Sequence, residues 1–305
     1  MSSPSETSPT PRPAGVIHDI GYRPYAGPRL GGRAVAWSLF VTGLRNCYGV
    51  GRSGRSKILP MILLGLMLLP ALIMVGVLVQ AKALLGLDEH IVAYSVYPIT
   101  TQLLISVFVA AQAPALISRD LRFGTITLYL ARPASRTTYV LVRIASLTVA
   151  TFVLIGAPLL LLYVGGLLAD LPLGRETGDF LAALFGALLL AACLAGLSAI
   201  ISAVTTRRGL AVAAVIIVLV VSYTVVASVQ GIASETGDEV VGDVAGLFSP
   251  YTLINGVQVL LFDSPSGTAT SPAGGVMSWL YPAVTALTIL GSTGAMLWRY
   301  RRVTA

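Results

Sequence analysis

Lysine, histidine and cysteine occur only twice each in this chain, and none of the six stands in a pattern that does known covalent or metal chemistry. An ATP-hydrolysing phosphate loop reads GxxxxGK[ST], where backbone amides and one lysine cradle the phosphates. Lys57 lies between Ser56 and Ile58, and Lys82 between Ala81 and Ala83, so neither completes that motif. No HExxH helix and no GxSxG elbow occurs, and His18 and His90 stand alone. Cys47 and Cys193 are too far apart in the expected topology for a disulfide and read as small apolar filler. The chain is therefore expected to be no enzyme, to hold no metal and to bind no cofactor of its own.

The chemistry that remains is uncharged. Thr100, Thr101, Gln102, Ser106 and Gln112 interrupt one apolar run, and Ser222, Tyr223, Thr224 and Ser228 interrupt another. Such groups either hydrogen-bond between helices or line a route for a substrate, and the pattern leaves both open. Thr101, Gln102, Ser106, Gln112, Ser222 and Tyr223 are the candidates for such a route. Gln102 and Gln112 are ten positions apart, about 80° around a helix, so both need not face one cavity.

The elements that must position these groups are six charge-free runs, at 58–80, 92–117, 144–168, 180–204, 210–229 and 276–298. At about 1.5 Å per residue each covers the roughly 30 Å hydrocarbon core of a bilayer. With 55% hydrophobic and 11% charged residues, little material is left for a folded domain outside the membrane. Alternating the connections between two sides puts eighteen of the twenty Lys and Arg on one side, leaving Lys82 and Arg175 opposite. Short segments rich in Lys and Arg stay in the cytoplasm, so both termini are expected inside and the protein in the plasma membrane. The net charge of +7 is spread over short flanking segments. It reads as an orientation signal and an attraction to anionic lipid, with no nucleic-acid partner.

The expected fold is an all-α integral membrane protein of six transmembrane helices, occupying 58–305. Residues 1–32 read as a disordered cytoplasmic tail and Gly/Pro-rich linker, with no cleaved signal visible. Within 33–57, Trp37, Phe40, Val41, Leu44 and Tyr48 recur at helical spacing and predict an amphipathic helix lying in the interface. In the fourth run Ala183, Ala187, Ala191, Ala195 and Ala199 form a flat stripe for close packing on another span. Before the sixth run, Ser249 and Pro250 open a short apolar helix expected to dip into the outer leaflet.

The connection 118–143 is the only cytoplasmic loop long enough for an element of its own. Arg119, Asp120 and Arg122 supply charge, Leu121, Ile126, Leu128, Tyr129 and Leu130 supply apolar surface, and Pro133 ends the segment. A short helix presented to a cytoplasmic partner fits this pattern, and so does an anchor that touches only lipid.

At these residues the chain resembles the permease subunits of ABC transporters of the type-2 export family. Those permeases carry an acidic residue before a Gly-Thr pair, then hydrophobics, a Pro-x-Ser-Arg step and a basic residue opening the third span. The matching residues are Asp120, where Glu is commoner, with Gly124, Thr125, Pro133, Ser135, Arg136 and Arg143. The segment 17–29 is similar to the leader of actinobacterial permeases. The resemblance implies a dimer of permease chains, identical or not, each docked on a separate ABC-type ATPase that binds ATP and Mg, with two ATPase copies. It implies a coupling helix between spans 2 and 3, where Arg119 and Asp120 make polar contacts and Phe123, Leu128 or Tyr129 is the apolar anchor. It further implies that the second and fifth spans form the route at the dimer interface. An ion-coupled carrier or channel, and a non-transporting scaffold, are the competing readings.

Overall fold

A computed structural model describes residues 27, 31–51, 54–86, 92–118, 135–205, 207–270, 272 and 274–302. The expectations for the tail 1–26, for His18 and His90, and for the loop residues Arg119, Asp120, Arg122, Phe123, Gly124, Thr125, Leu128 and Tyr129 concern residues outside that set.

Helix α1 spans Gly32–Cys47 and ends where Gly49 and Gly51 turn the chain with positive φ of 67° and 81°. Helix α2 spans Gly54–Leu85, followed by the single turn α3, Tyr97–Thr100, and by α4, Gln102–Leu116. Helix α5 spans Arg136–Leu168 and α6 Leu173–Val204. Helix α7, Arg208–Ile216, runs through a π-helical turn at Ile217–Val221 into α8, Ser222–Thr236. Two short helices follow, α9 at Glu239–Gly246 and α10 at Pro250–Phe262, and α11 closes the chain at Met277–Arg302. Among the described residues, five helices are long and apolar enough to cross a membrane: α2, α5, α6, the continuous α7–α8 and α11. The bent pair α9 and α10, folded by 114°, raises the number to six if counted as one span. The protein is a multi-pass membrane protein.

Local signals explain most boundaries. Ser135 caps α5, its hydroxyl accepting from the Thr138 amide at 3.1 Å. Glu176 sits in the first turn of α6, where a carboxylate meets the positive end of the helix dipole. Asp238 caps α9 by accepting from the Val241 amide, and Pro250 takes the first position of α10.

Helix α4 lies at the centre, with Ile105, Phe108, Val109, Ala110 and Ala113 buried against α2, α5, α6 and α7. The alanine stripe of α6 is buried throughout. Gly186 of α6 faces Gln258 of α10, and Gly196 faces Ser292 of α11, so closely that a Cβ at either glycine would collide with its neighbour. Gly165 of α5 meets Val75 of α2 in the same way. Lipid tails are as apolar as the side chains, so cohesion here comes from such van der Waals fit and from hydrogen bonds between helices.

The structure departs from the sequence expectation in four places. The run 92–117 is not one helix: residues 92–96 form a turn and the helix breaks at Thr101. Tyr94 and Ser95 there donate to Glu176 and to the Pro265 carbonyl, which ties this stretch to neighbouring segments and draws it out of a helix. The third span begins at Arg136, eight residues before 144, and carries Arg143 buried over the Tyr139 ring at 5.1 Å. The fifth span continues to Thr236 before Gly237 stops it with a φ of 74°. Finally, α10 is no one-faced interfacial helix, because residues 250–258 are all buried in the bundle.

Candidate functional site

Tyr251 is the residue around which the uncharged polar groups of the bundle gather. It lies in the first turn of α10 and is 1% exposed. Its hydroxyl donates to the Gln102 carbonyl at 3.0 Å and stands 2.7 Å from the Ser106 hydroxyl. A phenol carries one proton, so with that proton on Gln102 the Ser106 hydroxyl is the donor to Tyr251. The Tyr223 ring meets the Tyr251 ring edge-on, centroids 6.0 Å apart. The start of α4, the middle of α7–α8 and the start of α10 therefore close on one another through this cluster.

The other candidate route residues lie elsewhere. Thr101 is buried with its hydroxyl donating to the Tyr97 carbonyl at 2.8 Å, and it stabilises the break between α3 and α4. Tyr97 in turn donates to the Met67 carbonyl of α2. Ser222 donates to the Leu219 carbonyl within its own helix. Gln112, near the far end of α4, lines a separate cavity of about 380 Å³ beside the starts of α2 and α7. Sequence reasoning missed Tyr251 because it assigned that segment to the outer surface. The available signal was Thr252, Asn255 and Gln258, polar groups spaced three apart in an otherwise apolar helix.

Behind Tyr251 the α8–α10 hairpin is tied by hydrogen bonds. Gln230 donates to the Gly242 carbonyl at 3.2 Å, Tyr281 to the Asp243 carbonyl at 2.7 Å, and Thr252 to the Gly246 carbonyl at 2.7 Å. At the same end, a cavity of about 360 Å³ is lined by Tyr94, Ser95, Arg175, Glu176, Asp179 and Asp263, among others. Burial first, and then its bond to Glu176, push the Tyr94 phenol above its ordinary range, so it stays a donor. Among the described residues, no group of three or more His, Cys, Asp or Glu is placed to hold a metal ion.

At the opposite end, both stems of the long loop are anchored. Ser118 donates to the Ser202 carbonyl at the end of α6. Arg136 reaches the Tyr300 and Arg301 carbonyls at the end of α11, at 3.5 and 3.3 Å. A cation on the last carbonyls of a helix is favoured by their partial negative charge.

A family model described as ABC-2 family transporter protein matches residues 51–302, most of the chain and all of the bundle from α2 to α11. The chain belongs to the ABC-2 transporter permease family. No curated protein matches it. As an ABC-2 permease the chain is the membrane subunit of a transporter. Its uncharged cluster at Tyr251 offers hydroxyl, amide and aromatic contacts, suited to positioning and to helix–helix contact and carrying no acid or base.

Proposed function

We propose that this ABC-2 permease is the membrane-spanning subunit of an ATP-driven exporter whose ATPase is a separate chain. ATP and Mg would bind in that partner, two copies of which would serve a pair of permease chains. The partner docks on the 118–143 loop, with Arg119, Asp120 and Arg122 supplying charge, Phe123, Leu128 or Tyr129 as the apolar anchor, and Gly124 and Thr125 within the same coupling segment. Both chain termini face the cytoplasm, an orientation supported by the sorting of eighteen of twenty basic residues to that side. The route is formed by the second and fifth spans, α4 and α7–α8, at the interface of the two permease chains, and an uncharged lining suits an amphipathic or apolar cargo.

The observation that carries this reading is the anchoring of both loop stems, Ser118 on α6 and Arg136 on α11. A push on the loop is thereby delivered to helices that pack on α4 and α5, and rigid-body movement of packed helices is a common way to open a path. The test is Asp120→Ala and Gly124→Leu in the permease co-expressed with its ATPase. Both variants should insert normally and lose substrate efflux while ATP hydrolysis persists; unchanged efflux in both would refute the docking assignment.

A further inference from the structure

The cavity at the α1 end of the bundle has a chemistry that the exporter reading does not use. Arg55 at the start of α2 and Arg208 at the start of α7 line it, together with Asn46, Ser56 and Gln112, and among the described residues no acidic side chain does. Neither arginine has an acidic partner among the described residues. Gln112 is 8% exposed, faces this space, and hydrogen-bonds to no described residue. Its amide is therefore reachable from the cavity, and a polar ligand seated there can meet it. Two helix starts (α2, α7) and two helix ends (α1, α4) meet here, so the backbone dipoles offset one another and the positive character comes from the guanidinium groups.

Guanidinium and amide donors around a space that no described carboxylate lines fit the oxygens of a phosphate. The cavity also opens onto lipid. Leu59 is one of its lining residues and begins a stripe of exposed side chains on α2, continuing through Ile62, Leu66, Leu69 and Ile73. Their spacing of three and four keeps them on one face, extending about 21 Å into the bilayer from the cavity. A free phosphate has no use for that stripe, whereas an acyl chain does.

We propose that this cavity binds the phosphate of an anionic phospholipid, one per chain, with its tails along the Leu59–Ile73 face of α2. Phosphatidylglycerol and phosphatidylcholine are offered to the full-length protein in mild detergent, and retained lipid is counted by native mass spectrometry. Both lipids carry the phosphate, but the choline cation of phosphatidylcholine is repelled by Arg55 and Arg208, so the wild type should retain phosphatidylglycerol over phosphatidylcholine by about tenfold or more. Arg55→Gln with Arg208→Gln should abolish the preference, and the paired lysine replacements should retain part of it. The arginines are exposed, so these variants keep the fold, and an unchanged unfolding temperature checks this. Gln112→Leu should weaken retention of both lipids. Equal retention of the two lipids by the wild type, or an undiminished preference in the double glutamine variant, would overturn the proposal. Inorganic phosphate should not displace the bound lipid at equal concentration. If it binds as tightly as phosphatidylglycerol, the site takes a free anion and the lipid assignment fails.

Discussion

Tyr251 joins three helices, α10 to α4 through its hydroxyl and α10 to α8 through its ring, which makes it the most informative single residue to change. Tyr251→Phe keeps the ring and its edge contact to Tyr223 but removes the donor to Gln102 and the acceptor for Ser106. Loss of a buried bond with a partner left unsatisfied costs about 1–3 kcal/mol. Thermal unfolding in detergent should show that loss, whereas Ser222→Ala, which breaks only a bond within its own helix, should leave stability nearly unchanged. The sequence makes Gln102, Ser106 and Tyr223 visible, because a polar group is conspicuous in an apolar run. Their convergence on Tyr251 is not visible, since it depends on a segment folding back into the bundle from what reads as an outer loop. Gln112 likewise stands out by type, but its neighbours Arg55 and Arg208 look like ordinary charges flanking the membrane until the helix ends are brought together.

At the scale of elements, the fit of α6 is the strongest constraint. Its five stripe alanines are buried, and Gly186 and Gly196 admit Gln258 and Ser292. Ala191→Leu adds three carbons where there is no room, and overpacking of this kind costs about 1–3 kcal/mol. Lower yield and a broadened gel-filtration peak should follow, while Leu188→Ala on the exposed face should change neither. Small residues at i, i+4 spacing made that face legible in advance. The break before α4 was harder to see, because residues 92–117 are continuously apolar by composition and only the tertiary bonds of Tyr94 and Ser95 pull the start out of a helix. The π turn in the fifth span and the α9–α10 fold-back also lie beyond a reading based on apolar periodicity. The fold-back is settled by packing, with Gly246 and Gly256 leaving space for the Tyr281 ring.

For the whole molecule, the separation of charged from apolar segments sets the architecture. Lipid tolerates neither bare charge nor unpaired backbone, so long charge-free runs become helices and the charges gather in the connections between them. That physics made the helical bundle legible, while the family match over 51–302 assigns it to the ABC-2 permeases. Residues 1–305 carry no GxxxxGK[ST] phosphate loop, and the proposed ATP-driven cycle assigns that loop to a partner. The most direct measurement is affinity purification of the tagged chain from native membranes, with its stoichiometric partners identified by mass spectrometry. The account predicts recovery of an ATPase bearing a phosphate loop, in amounts comparable to the permease and sharply reduced by Gly124→Leu. Recovery of the chain without any such ATPase, together with solute flux by the purified chain alone in liposomes lacking ATP, would contradict it.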